Sequence, residues 1–289
     1  MTPSVCVLGL GLMGRPIAHR LIREGFAVAA WNRSPLDAEA PELTLCTTLA
    51  DAAQADVLLL VVSDSAATGE VLAGLEPHLR GGSVVLDMGS SAPADSRERA
   101  RRLAERDIGW VDAPVSGGPT GAAAGCLAVM VGGGDLDLAR VRPVLDALGS
   151  VTHVGGAGAG HAMKVVNQVI VGLGIEAVAE ALALATGLGF EPALVGEALS
   201  GGSADTPQLR GAGSRMVRRD YAPTAKVRTI LKDLRLADEL AEDLGLELLQ
   251  VHGARRVWEN LAEAGAAEAD CAILFEAQVP GGRLRPPRA

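Results

Sequence analysis

Aromatic side chains are nearly absent from this chain: three Trp, three Phe and one Tyr, 2% of 289 residues. A core with so few rings must be aliphatic, and the 48% hydrophobic content can fill one. Cysteine is scarce too. Cys6, Cys46, Cys126 and Cys271 stand alone, with no C-x-x-C pair and no histidine at ligand spacing. That argues against disulfides and against a zinc or other metal site, and it fits a reducing compartment. Positive charge is in deficit, with 26 basic against 35 acidic residues and a net charge of −9. That balance argues against nucleic acid or anionic membrane surfaces as main partners. No charged leader precedes a long apolar run at the N-terminus, and the apolar stretch 5–12 is too short to cross a bilayer. These deficits lead to the expectation of a soluble, cytoplasmic protein.

What the chain has in abundance is glycine, 36 residues, placed between short apolar runs. Residues 4–10 form an apolar, β-branched run ending in Gly9-Leu10-Gly11-Leu12-Met13-Gly14. A helix is expected over 15–24, stopped by Gly25, followed by a second strand over 26–33. This strand–glycine turn–helix–strand order is the dinucleotide-binding pattern. Gly9 permits the tight turn, Gly11 lets the backbone approach a pyrophosphate, and Gly14 allows close helix–strand packing. Asn32, Arg33 and Ser34 end the second strand. No carboxylate is present there to meet a ribose 2′-hydroxyl, whereas a guanidinium can pair with a 2′-phosphate. The cofactor expected is NADP, with NADPH preferred over NADH; the alternative is a solvated loop arginine.

Further strands are expected at 43–46, 56–62, 83–88, 109–111, 127–134 and 151–154. Helices are expected just after Arg33, where Pro35 and Pro41 limit the first, and at 49–54, 68–79, 95–106 and 138–148. In a parallel sheet ligands lie off the carboxyl ends of strands, so Ser63 and Ser90 either line the cofactor or cap helices. Ser116-Gly117-Gly118 is either an anion cradle of backbone amides plus a hydroxyl or a plain glycine loop.

From 158 to 189 the chain runs without proline and is apolar nearly all round, the pattern of a buried helix. Lys164, Asn167 and Gln168 share a face near its start. A lysine in such a helix is costly unless it is used, or else it snorkels from an exposed first turn. Beyond Gly189 only helices are expected, at 192–200, 208–219, 227–244, 248–263 and 270–277. Lys232 lies in one of them with Arg228 and Arg235, which spacing alone also allows as a solvated face. The resulting architecture is an α/β Rossmann-type N-terminal domain (1–157) and an all-α C-terminal domain (158–277), joined by a long interdomain helix. The basic Pro/Gly-rich tail, 278–289, reads as disordered.

Four stretches agree in order: GLGLMG at 9–14, DAPVSGG at 112–118 with its trailing GCLAVMVGG, GAGHAMKVVNQ at 158–168 and KDL at 232–234. In these the chain resembles the β-hydroxyacid dehydrogenases. That family includes 3-hydroxyisobutyrate dehydrogenase, tartronate semialdehyde reductase (2-hydroxy-3-oxopropionate reductase) and the glyoxylate/succinic semialdehyde reductases. The resemblance spans almost the whole chain, from about Val5 to Glu276, and the wording at 167–189 is most similar to the tartronate semialdehyde reductases. It implies Lys164 as the catalytic lysine, with Asn167 assisting at the substrate. Ser116, Gly117 and Gly118 would hold the substrate carboxylate. Ser90 would meet the cofactor, and Lys232 would close over cofactor and substrate. The chain departs from the family between Arg33 and Asp56, where it is shorter, and at Ala225, Thr229 and Cys271.

The function expected is NADP(H)-dependent interconversion of a small β-hydroxyacid and its aldehyde acid, with hydride supplied by the cofactor and a proton by Lys164. A homo-oligomer, dimer or tetramer, is expected from the apolar, alanine-rich helices of the C-terminal domain. Three alternatives fit the sequence less well. Imine reductases share the plan but generally lack this lysine. The larger 6-phosphogluconate dehydrogenases need a longer chain. A non-catalytic dinucleotide-binding module has no use for the lysine, the asparagine and the Ser-Gly-Gly turn.

Overall fold

The computed structural model describes residues 2–34, 43–279, 281–282 and 284. The short helix expected after Arg33 and most of the 278–289 tail lie outside them. The chain falls into two compact units that divide between Lys164 and Val165.

The first unit is built on β1 (Val5–Leu8), whose VCVL sequence is buried at every position. Strands buried on both faces belong to a parallel sheet covered by helices. In chain order there follow α1 (Gly14–Arg23), β2 (Val28–Trp31), β3 (Thr44–Leu45), α2 (Leu49–Ala52), β4 (Val57–Leu60), α3 (Ser65–Leu75), β5 (Val84–Asp87), α4 (Pro93–Ala104) and β6 (Gly109–Asp112). Then come β7 (Val115–Ser116), α5 (Gly118–Ala124), β8 (Leu127–Gly133), α6 (Asp135–Leu148) and β9 (Gly149–Gly155). The sheet order is β3-β2-β1-β4-β5-β6-β8-β7, with β9 paired to β8. Strands β1 to β6 run parallel, and β8 runs antiparallel to both β6 and β7. Helix starts are set locally: Asp64 caps α3 through the Ala67 N–H at 2.9 Å, and Thr48 with Asp51 forms a capping box on α2. Aliphatic side chains from both faces of the sheet make two core clusters, around Val7, Leu59 and Leu86 and around Leu8, Leu58 and Leu60. β7 and α5 were expected as loop; both are short elements in a glycine-rich stretch that pairing with β8 organises.

Helix α7 (Ala159–Gly187) begins in this unit and continues into the second. After it come α8 (Pro192–Ala198), α9 (Ser214–Arg218), α10 (Val227–Asp243), α11 (Leu249–Leu261) and α12 (Leu274–Gln278). Val227, Ile230, Leu231, Leu234, Ala237 and Ala241 give α10 its buried face, and they pack with Trp258 of α11 and with Ile175, Val178, Ala179 and Leu182 of α7. Asp270 closes the loop before α10, accepting N–H bonds from Thr224 and Ala225 at 2.7 and 3.1 Å. No β-strand occurs in this unit among the described residues.

The expectation that α7 is buried all round needs correction. Met163, Val166, Ile170 and Leu184 are 41%, 54%, 66% and 66% exposed, and Leu188 just past the end of the helix is 67% exposed. Within a single chain, helices of the second unit pack on only one face of α7, so its other apolar face meets solvent.

Candidate active site

The candidate residues of the first unit leave the sheet at one level. Leu8, Leu60, Asp87 and Asp112 are neighbours in register across β1, β4, β5 and β6, and each ends its strand. The loops that follow carry Gly9–Gly14, Ser63, Ser90 and Ser116–Gly118. A parallel sheet delivers its ligand-binding loops to this edge.

In the first loop Gly9 adopts φ +104°, and a methyl there would sit 2.5 Å from the Val61 carbonyl oxygen. A methyl on Gly14 would lie 1.8 Å from the Gly9 oxygen, whereas one on Gly11 would meet nothing within 4 Å. Two glycines are thus demanded by packing, and the third leaves open space beside the helix N-terminus. Leu10 is buried and Leu12 is 47% exposed. Met13 precedes α1, whose first turn holds no acidic residue. This cradle fits a pyrophosphate.

Asn32 holds the loop in place. Its Oδ1 accepts the Leu10 N–H at 2.9 Å, and its Nδ2 donates to the Ser34 carbonyl at 2.9 Å. Arg33 pairs with Glu70 of α3 at 3.0 Å, with both side chains largely exposed. Such a pair is worth about 0–1 kcal/mol, too little to sequester the guanidinium from a better anion. Ser63 donates to Asp64 Oδ2 at 2.7 Å, and it is Asp64 that caps α3. Ser90 is half-buried beyond β5 and does not cap α4, whose N-cap position is Ala92.

Ser116 sits on β7, with its register fixed against Ala128 of β8. Gly117 and Gly118 follow with φ +131° and +63°, the left-handed region that favours glycine, and they start α5. Lys164, half-buried on the second turn of α7, donates from Nζ to the Val115 carbonyl at 2.8 Å. The amine and the Ser-Gly-Gly turn are therefore adjacent through one residue of β7.

Within the second unit, Asn167 Nδ2 donates to Gln168 Oε1 at 2.8 Å, and Gln168 Nε2 donates to Asp233 Oδ2. Lys232 Nζ lies 3.2 Å from Asp233 Oδ1. Gln168 and Asp233 are 8% and 3% exposed, so a buried carboxylate ties the Asn167 carboxamide to the Lys232 amine. In the sequence Asp233 stands out only as the middle residue of KDL. Its signal was its place on the apolar face of α10, between Ile230 and Ala237, where an acid needs a partner. Among the described residues no group of three or more His, Cys, Asp or Glu is placed to hold a metal.

The fold and these loops define an NAD(P)-binding oxidoreductase with a doubly wound first unit and a helical second one. The sequence profile of the NAD-binding domain of 6-phosphogluconate dehydrogenase matches residues 4–156. The profile described as NAD-binding of NADP-dependent 3-hydroxyisobutyrate dehydrogenase matches residues 158–277. The chain belongs to the β-hydroxyacid dehydrogenase family, whose members act on CH–OH donors. It is 36% identical to the 2-hydroxy-3-oxopropionate reductase of Escherichia coli K12, covering 93% of this chain and 95% of that one. The crystal structure of 3-hydroxyisobutyrate dehydrogenase from Salmonella typhimurium matches with a TM-score of 0.88 at 28% identity, covering 94% and 99% of the two chains. An imine reductase from Pseudomonas sp., with a TM-score of 0.61 and 22% identity over 96% and 99%, shares the fold alone.

Proposed function

We propose that this chain is an NADP(H)-dependent enzyme that interconverts a small β-hydroxyacid and its aldehyde acid, of the tartronate semialdehyde reductase or 3-hydroxyisobutyrate dehydrogenase type. The observation that carries the reading is the hydrogen bond from Lys164 Nζ to the Val115 carbonyl. It sets a proton-bearing amine one residue from the Ser116-Gly117-Gly118 turn. The likeness to 2-hydroxy-3-oxopropionate reductase supports the substrate class.

Bound at the glycine loop, a nicotinamide dinucleotide supplies the hydride. The protein's part is orientation and the proton. The Ser116 hydroxyl and the amides of Gly117 and Gly118 hold the substrate carboxylate. Lys164 Nζ gives its proton to the carbonyl oxygen in reduction and takes it back in oxidation, and its charge steadies the oxygen as negative charge grows. In the second unit, Gln168 orients the Asn167 carboxamide and Asp233 holds the Lys232 amine, which keeps both as candidate polar contacts for a ligand. Ser90 and Ser63 face the cofactor from the carboxyl ends of β5 and β4, and Leu10, Leu12 and Met13 lend backbone to its phosphates.

Arg33 is the ligand of the 2′-phosphate, with Asn32 and Ser34 shaping the turn. Hydrogen bonds to a charged group are worth about 1.5–3 kcal/mol each, more than the exposed pair with Glu70 that a phosphate would displace. The exposed apolar face of α7 supports a homo-oligomer, and the four isolated cysteines fit a reducing cytoplasm.

A panel of tartronate semialdehyde, succinic semialdehyde, glyoxylate and methylmalonate semialdehyde, each with NADPH and with NADH, tests the reading. Oxidation of NADPH by at least one aldehyde acid is expected, with NADH used less well. Turnover of cyclic imines alone, or of nothing, would contradict it.

A further inference from the structure

Resting on the reading of Lys164 as the proton donor, we infer that Asp112 is a positioning residue: its carboxylate locks the first turn of α7 to the β6–β7 segment and so sets Lys164 Nζ against Ser116–Gly118. Asp112 is fully buried at the end of β6. Its Oδ1 accepts the Gly158 N–H at 2.7 Å and its Oδ2 accepts the His161 N–H at 2.9 Å. The first amides of a helix have no partner within it. Here a carboxyl group from another element takes two of them at the N-terminal end of the helix.

The surroundings are built for this contact. A methyl on Gly160 would lie 2.9 Å from Asp112 Oδ2 and 2.5 Å from the Met130 carbonyl oxygen, and one on Gly132 would lie 2.8 Å from the same Oδ2. Two glycines therefore let helix and sheet close around the carboxylate. The His161 side chain, itself 1% exposed, adds a second tie: Nδ1 shares a 2.6 Å hydrogen bond with Ser96 Oγ of α4. Its Nε2 faces Asp87 Oδ2 at 3.9 Å. That second carboxylate is already fixed by the Gly89 N–H at 2.9 Å and the Ser91 hydroxyl at 3.2 Å.

The consequence for the reaction is geometric. Asp112, Val115 and Ser116 belong to one short stretch of chain, with the Val115 carbonyl on the Lys164 amine and the substrate turn next to it. Holding α7 by its first turn to Asp112 makes amine and turn one rigid unit. An error of about 1 Å in such an arrangement costs about a hundredfold in rate.

The test compares Asp112→Asn, Gly160→Ala, Lys164→Ala and the double variant Asp112→Asn/Lys164→Ala. Each is assayed for kcat and KM with the best aldehyde acid of the panel and for NADPH affinity by fluorescence. Asp112→Asn keeps one acceptor and puts an N–H donor against the second amide. Gly160→Ala favours the helix but pushes its first turn off the sheet, so it carries the comparison if Asp112→Asn fails to fold. Both are expected to lower kcat by about 10- to 100-fold while NADPH affinity holds. In the Lys164→Ala background, Asp112→Asn is expected to add no further loss, because it acts through the missing amine. Asp56→Asn is the structural comparison: that carboxylate takes the Ser4 N–H at 2.9 Å before β4, and its loss should lower the melting temperature with kcat unchanged. Wild-type kcat in folded Asp112→Asn or Gly160→Ala, or losses that multiply in the double variant, would overturn the inference. Lys164→Ala separates the two failures. If it turns over like wild type, the reading beneath falls. If it is inactive beside an active Asp112→Asn, only the inference falls.

Discussion

Arg33 carries a large consequence on one exposed side chain. Its partner Glu70 is equally exposed, and an ion pair in water holds neither group firmly. A 2′-phosphate brings more charge and more acceptors to the same guanidinium. Arg33→Ala is therefore expected to raise the KM for NADPH about tenfold or more, the loss of one or two charged hydrogen bonds, and to leave the KM for NADH nearly unchanged. Steady-state kinetics with both cofactors checks this, and equal effects on the two would discard the phosphate contact. Asn32 beside it is expected from its position at the end of the second strand to face the cofactor as well. The structure gives it a local task, bracing Leu10 in the glycine loop. Its side chain thus reaches the cofactor's cradle through the protein's own backbone, which a linear motif does not reveal.

Helix α7 is the element whose existence was plainest and whose environment was least so. Thirty residues without proline announced its length, but apolar residues on all sides do not say which of them the same chain covers. Glu176, on this helix, has its carboxyl pushed up to about 7, first by burial and then by the charge of Glu180. The folded value lies above the ordinary 4.5, so the folded state holds the proton more tightly than the unfolded one. The stability that follows is complete below about 4.5, is lost as pH rises to about 7, and is flat beyond. Glu176→Gln removes this dependence. Thermal melts should place variant and wild type close together near about pH 5 and the variant higher near about pH 8; an equal gap at both would contradict the assignment. The shorter elements were the harder ones to read. β7 and α5 are invisible in a glycine-rich line of sequence because β8, a later strand, supplies their pairing. The buried faces of β1, β4 and α10, by contrast, could be read directly from their spacing.

At the scale of the whole molecule, the motifs name candidate residues without naming what holds them in place. Lys164, Ser116 and the glycine loop were legible as residue types at telling positions. Asp112 and His161 were not, because their contacts are to the protein's own backbone and side chains. The exposed seam of α7 sets a further expectation. Met163, Val166, Ile170 and Leu184 recur at spacings compatible with a helix seam, and a contiguous exposed apolar strip of this kind marks an interaction surface. Wild-type protein should elute as a dimer or larger in chromatography with light scattering, and Ile170→Lys as a smaller species that still folds. A wild-type monomer would refute the seam's role. The decisive measurement is kcat for the Lys164→Ala variant with the preferred aldehyde acid, alongside its NADPH affinity. Affinity should be retained and kcat lowered by about 10²- to 10⁴-fold, the share of a positioned general acid; near wild-type turnover with normal cofactor binding would rule out Lys164 as the proton donor.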